Sequence, residues 1–404
     1  MHNRDEELLA TLGYKQELRR EFSPWELFGI SFSIIGIFPS MASVLIYAIP
    51  NGGPVAMWAV SMVFLTCIGL AMAELGSAAP TSGGLYYWTY TFSSPRYKNL
   101  FSWIVGYCNS LGLIAGTAAL NWGFAVQLMA AVSIGKDMTI TPTTAQTFGI
   151  FIGVSIFEGL VCSTAAKYIA RLQTFYIIVN VAICVIVCVG LPVATPQEFK
   201  NSAKVAFADF QNFNGWPDGF AFILSFLSPL WTFAVNIALV FNMGTDLASI
   251  IENPIGQPMA TILFNGFGKH GTLGIWSLVV ISQFMIGTGA ITVTARQVFA
   301  FSRDGGFPFS RFLRRVNPRT HTPLYAVWAI VLVAVLLGLL AFAGPDAINA
   351  IFSLGVVAQF IAYTVPIAAR YLGKNEFKKG PFHLGIFSLP VAVIAVVFMS
   401  FMII

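Results

Sequence analysis

Apolar residues in this chain arrive in long uncharged runs separated by short polar connections. Ten runs are long enough to cross a hydrocarbon layer of about 30 Å as helices: roughly 27–49, 54–73, 100–132, 147–165, 173–192, 219–242, 272–295, 324–343, 347–369 and 384–404. Backbone groups in lipid need internal partners, so each run is predicted to be a helix and the chain an all-α polytopic membrane protein. Trp25, Trp88, Trp103, Trp216 and Trp276 stand near run ends, where amphipathic rings commonly mark the interface.

Two runs carry an internal interruption. The first contains Ser33-Ile34-Ile35-Gly36-Ile37-Phe38-Pro39-Ser40. Proline lacks a donor and clashes with the preceding turn, so the helix is predicted to break at about Gly36–Phe38 and restart at Pro39. The restarting half offers free N–H groups suited to a carboxylate, and the half that ends offers carbonyls suited to an ammonium group or a cation. The second interruption is Ser228-Pro229-Leu230-Trp231-Thr232. One such break reads more readily as an ordinary proline kink; breaks paired between two halves point to a transporter's central site.

Composition sharpens the solvent assignment. Of 404 residues, 57% are apolar and 10% charged, against about a quarter charged in soluble domains. The first twenty-four residues are polar and charged, and the run after them is too long for a signal-peptide core, so no cleaved signal is expected. Cys67, Cys108, Cys162, Cys184 and Cys188 all lie in apolar runs without a C-x-x-C pair, and His2, His270, His321 and His383 all lie in connections. Neither a metal site nor a haem is expected, and no cofactor is implied. No basic run interleaved with aromatics invites nucleic acid. A membrane enzyme needs a polar catalytic cluster at one face, and a channel needs pore loops or charged rings; neither pattern is visible.

Positive charge reports sidedness. Arg4, Lys15, Arg19 and Arg20 precede the first run, Arg96 and Lys98 follow the second, and Lys167 and Arg171 follow the fourth. Alternate crossings place all of these in the cytoplasm. Two further clusters, Arg296 to Arg319 and Arg370 to Lys379, are two crossings apart and share a side. Between Arg171 and Arg296, however, three runs intervene, which would put the richest basic loop outside. Either 219–242 is not one simple crossing or a span is absent there.

Glu74 opens the string Glu74-Leu75-Gly76-Ser77-Ala78-Ala79-Pro80-Thr81-Ser82-Gly83-Gly84-Leu85-Tyr86-Tyr87-Trp88 at the cytoplasmic border. It reads as a gate partner for an arginine of the 296–319 loop, Arg296 or Arg303, or equally as a solvated charge at a helix end. Glu158 is an intramembrane acid, by default a functional candidate. Its alternative reading, slightly favoured, is a protonated structural acid.

The Glu74–Trp88 string resembles the signature of the amino acid–polyamine–organocation superfamily. Arg296-Gln297-Val298-Phe299-Ala300-Phe301-Ser302-Arg303-Asp304-Gly305-Gly306-Phe307-Pro308 resembles that superfamily's cytoplasmic eighth-helix motif. Asn242-Met243-Gly244-Thr245-Asp246 and Asn253-Pro254-Ile255-Gly256-Gln257-Pro258 narrow the likeness to fungal GABA/choline/amino-acid permeases. The resemblance implies a LeuT-like inverted-repeat helical bundle after a cytoplasmic segment 1–24. A first repeat would cover about 25–192, a partial second repeat about 218–371, and a trailing helix 384–404. It further implies secondary active transport of an amino acid or related amine, proton-coupled, by alternating access around broken helices one and six. The host bilayer would be the plasma membrane or a vacuolar or endomembrane.

Carried over by position, the substrate-binding candidates are Ser33, Gly36, Ile37, Phe38, Pro39 and Ser40 in helix one, Asn109 in helix three, and Ser228, Trp231 and Thr232 in helix six. The chain departs from the family pattern after Thr232, which runs straight into a stretch resembling the end of helix seven. The last run stops at Ile404 inside apolar sequence, so helix eleven is expected to be cut short and the bundle incomplete. A transport-inactive form of such a permease is therefore the alternative expectation.

Overall fold

The computed structural model describes residues 36–52, 60–164, 166–213, 215–225, 236–318, 320, 322–375 and 377–403. The main helices are α1 (Ile37–Ala48), α2 (Val60–Ala78), α3 (Leu85–Phe92), α4 (Lys98–Gly135), α5 (Thr144–Thr164), α6 (Ala166–Val185), α7 (Asp218–Ser225), α8 (Asn236–Phe241), α9 (Pro258–Arg303), α10 (Leu324–Gly338), α11 (Pro345–Leu372) and α12 (Ser388–Ile403). Seven helical segments among the described residues are long and apolar enough to cross a membrane. Residues 27–35 of the first predicted run, 54–59 of the second and 226–235 of the sixth lie outside the described residues.

The two longest helices form the centre. α4 and α9 bury most of their apolar length, whereas Phe175–Ala194 and Gly385–Ile403 leave most of theirs on the outer surface, where lipid is the solvent. Glycine sets the spacing around α4. A Cβ on Gly355 of α11 would stand 3.4 Å from the backbone nitrogen of Gly116 and 3.7 Å from the carbonyl oxygen of Gly112, so these two helices meet backbone to backbone. On another face of α4, the ring of Phe301 from α9 fills the space that a side chain on Gly106 would take. α9 is two helices joined at Gly268, whose φ of 67° only glycine adopts without strain. The part before the bend belongs to the connection, and the part after it spans.

Hydrogen bonds assign the connections to the two ends of the bundle. At one end Arg370 pairs with Glu74, Tyr86 bonds Asp304, Thr322 bonds the Ser163 carbonyl, and Asn375 bonds the carbonyls of Thr91 and Ser93. At the other end Lys269 pairs with Asp137, the N–H of Phe213 donates to the Pro50 carbonyl, and Asn201 donates to the carbonyls of Val240 and Gly244. Every arginine in the described segments lies at or within about two turns of the first end. The second carries Lys136, Lys200, Lys204 and Lys269 against Asp137, Glu198, Asp209, Asp218, Asp246 and Glu252. They are called here the basic and acidic ends.

This arrangement removes the parity conflict. α6 leaves the basic end and reaches the acidic end by residue 194. The chain before α7 bonds residues 50–52, and the chain after α8 bonds Asn201, so the 218–241 stretch begins and finishes at the acidic end. α9 then returns to the basic end. The described ends of the run 219–242 therefore both lie at the acidic end, and the cluster from Arg296 to Arg315 shares its end with the start of α6, where Lys167 and Arg171 stand.

Candidate functional site

A helix starts close to where proline chemistry puts the expected restart. Gly36 adopts the left-handed conformation (φ 44°, ψ 71°), and α1 begins at Ile37, two residues before the expected restart. Proline is tolerated in a first turn because its missing N–H is not needed there. The N–H of Ser40 closes the turn by donating to the Gly36 carbonyl at 2.9 Å. Phe38 and Ser40 are buried, and Phe38, Met41, Leu45 and Ile49 pack into a core with Ile183 of α6, Val187 just after it, and Trp276 and Val279 of α9. The start of α1 thus lies inside the bundle. Ser33, Ser228, Trp231 and Thr232 lie outside the described residues; Ile37 is placed by its backbone.

Behind the start of α1 stands an amide network that the sequence reading missed. Gln127 of α4 donates from Nε2 to the Pro39 carbonyl and to the Ser43 hydroxyl, each at 3.1 Å. Ser43 itself donates to the Pro39 carbonyl at 3.1 Å. Gln283 of α9 donates to the Leu120 carbonyl at 2.9 Å, and Trp276 of α9 donates to the backbone oxygen of Gln127 at 2.8 Å. Both glutamines are buried. Away from water such groups are costly unless bonded, so the network ties helix one to α4 and α9 at one level. The available signal was an amide in each of two apolar runs, one of three in 100–132 and the single one in 272–295.

Asn109 is not part of this site. It lies eighteen residues before Gln127 on the same helix, about 27 Å along the axis, and its backbone oxygen accepts from Gln359 of α11 at 3.1 Å. Polarity pointed to it, but the level along α4 is fixed by the residue that meets helix one, which is Gln127.

At the basic end the two sequence motifs meet. Tyr86 donates to Asp304 Oδ2 at 2.7 Å, and Arg303 reaches Ser82 at 3.4 Å. The rings of Tyr86, Tyr107 and Phe307 surround Phe301 with centroids 5.0–5.6 Å away. Glu74 does not join Arg296 or Arg303, and it is not a solvated helix-end charge. It is 1% exposed and takes Arg370 of α11 in a two-pronged pair, at 2.8 and 2.9 Å, with the Ser388 hydroxyl of α12 donating at 2.8 Å. A buried carboxylate needs a matched cation, and Arg370 ends the helix that passes beside α2. The Arg370 guanidinium also stacks on the Phe377 ring at 3.8 Å.

Glu158 of α5 is fully buried between α4 and α9, and neither of its oxygens has a hydrogen-bond partner among the described residues. Its carboxyl and the Oδ1 of Asn121 both enter the space that a side chain on Gly287 would occupy. Asn121 Nδ2 is committed to Ser155 at 3.0 Å.

A bundle of apolar helices long enough to cross a membrane, with a helix start and an amide network buried at its centre, is a multi-pass membrane protein. A family model described as "Amino acid permease" matches residues 22–234 and 230–404, and the chain belongs to that family. It is 34% identical to the GABA-specific permease of Saccharomyces cerevisiae, over 99% of this chain and 78% of that protein. It is 31% identical to amino-acid permease 2 of Neurospora crassa, over 98% and 80%. An uncharacterized amino-acid permease of Schizosaccharomyces pombe is 35% identical, over 95% and 78%. The protein is a multi-pass membrane transporter of amino acids, not an enzyme. The match to the Saccharomyces permease extends over 444 positions, so that protein carries at least 40 with no counterpart in the 404 residues here. The family match divides at 230–234.

Proposed function

We propose that this permease carries a small amino acid or related amine, of the size of GABA or choline, by secondary active transport coupled to protons. Substrate binds at the start of α1 and is exposed alternately to the two ends, with the basic end in the cytoplasm. The observation that carries this reading is the left-handed Gly36 at a helix start inside the bundle, held at that level by Gln127. The N–H groups of Ile37 and Phe38 are those that a helix start leaves without an in-helix acceptor, and they suit a carboxylate. The Glu74–Arg370 pair and the Tyr86–Asp304 bond act as the closure of the basic end. The test is uptake of radiolabelled GABA by proteoliposomes under an imposed proton gradient, with choline and neutral amino acids as competitors. Uptake that collapses with the gradient supports the reading; uptake indifferent to it removes the proton.

A second reading, a form that binds substrate without moving it, is favoured by one observation. The family match divides at 230–234, within the stretch whose two described ends both lie at the acidic end. Saturable GABA binding to folded protein, without uptake, is its expected signature.

A further inference from the structure

Four arginines at the basic end line a cavity for which transport has no use. Arg303 closes α9, and Arg311, Arg314 and Arg315 come from the short helix Ser310–Leu313 and the residues after it. Phe309, at φ 60°, turns the chain so that this short helix packs back against α9. The four guanidinium groups line one concavity of about 390 Å³. Asp304 is the acid beside it, and it is engaged by Arg303 and Tyr86. Arg311, Arg314 and Arg315 are exposed, and among the described residues no carboxylate pairs with them.

Sidedness requires positive charge at one end, not its convergence. Arg311, Arg314 and Arg315, gathered around one hollow whose neighbouring carboxylate, Asp304, is taken by Arg303 and Tyr86, repel one another, and a multivalent anion is what relieves that repulsion. Guanidinium forks match phosphate oxygens two at a time. A second concavity of about 470 Å³ shares Arg315 and is lined further by Pro318, Leu324 and Tyr325. Tyr325 is half exposed in the first turn of α10, where an aromatic ring marks the interface. Phe309 and Phe312 project beside the arginines, 79% and 51% exposed. A soluble anion would leave this apolar annex empty; an amphiphile fills it.

We propose that the arginine cavity binds the phosphate-bearing headgroup of an anionic phospholipid in the leaflet at the basic end, with the lipid's glycerol and first acyl carbons along the Arg315–Tyr325 hollow. The site is separate from the transport reading and stands if that reading fails.

The experiment uses the purified full chain in neutral detergent, titrated with dioctanoyl phosphatidylinositol bisphosphate and followed by native mass spectrometry. Dioctanoyl phosphatidylcholine and free inositol trisphosphate are the comparison ligands. Saturable binding of the anionic lipid is expected, weakened about a hundredfold when Arg311, Arg314 and Arg315 are all changed to alanine. Tyr325→Ala is expected to weaken the lipid and leave inositol trisphosphate unchanged. Unchanged binding by the triple variant, or equal binding of phosphatidylcholine, overturns the proposal. Inositol trisphosphate binding as tightly as the lipid overturns it too, and makes the ligand a soluble polyphosphate. If the alanine variant does not fold, the triple-lysine variant replaces it: it keeps the charge, loses the forked geometry, and is expected to bind about tenfold more weakly.

Discussion

Gln127 Nε2 stands 3.1 Å from the carbonyl oxygen of Pro39, so an amide from α4 holds the first turn of α1 in place. Replacing Gln127 with leucine removes a donor shared by Pro39 and Ser43. The expected result is a loss of about 1–2 kcal/mol in unfolding measured in mixed detergent. Substrate affinity is expected to fall further than stability alone predicts, because the start of α1 loses its support. An unchanged affinity in a folded variant would show that the network only packs the bundle.

For the Glu74–Arg370 pair the two single changes are unequal to the double one. Arg370→Ala strands a buried carboxylate and is expected to cost about 3–5 kcal/mol. Glu74→Leu combined with Arg370→Met is expected to be clearly more stable than Arg370→Ala. A double-mutant cycle on thermal unfolding reads the coupling, and additive single effects would contradict a direct pair.

At Glu158 the chemistry asks for a hydrogen-bond donor. A carboxyl that holds its proton can give it to Asn121 Oδ1, and an amide can do the same. Glu158→Gln is expected to stay within about 1 kcal/mol of the parent, and Glu158→Lys to lose about 3 kcal/mol or more by placing a cation among apolar helices. If the glutamine variant unfolds like the lysine one, a charged carboxylate is required there.

The spacing around α4 is tested by two glycines on the same helix. At Gly106 a methyl group would fall within the Phe301 ring, so Gly106→Ala is expected to cost about 1–3 kcal/mol through overpacking. Nothing stands within 4 Å of a Cβ on Gly116, and Gly116→Ala is expected to be neutral or stabilising by up to about 1 kcal/mol. Equal costs at both positions would mean that helix flexibility, not the ring, is at stake.

Topology is checked by accessibility reporters. Tags at Arg311–Arg315 are expected to read as cytoplasmic, while tags at Lys200–Lys204 and after Thr245 both read as external. Opposite readings for the last two would restore a full crossing between them.

Much of the bundle was legible because burial in lipid leaves long apolar runs, and the start of α1 at Gly36 was legible because glycine and proline act locally. The positive charges even exposed the error of counting 219–242 as a crossing. What the sequence hid was level and rotation. Asn109 and Gln127 look alike as polar residues in one run, and only the level of the break separates them. Glu74 had arginines to choose from in two connections. Which one it meets depends on α11 ending beside α2, and no pattern along a single helix encodes that.

The separation of arginines from carboxylates along the bundle axis also makes the folded protein respond to voltage. A potential negative on the side of the basic end favours each positive charge held there by about 2.3 kcal/mol per 100 mV. The excess of acids at the far end adds to it in the same sense. An energised membrane therefore works continuously against inversion of the whole molecule, and keeps the orientation that insertion established.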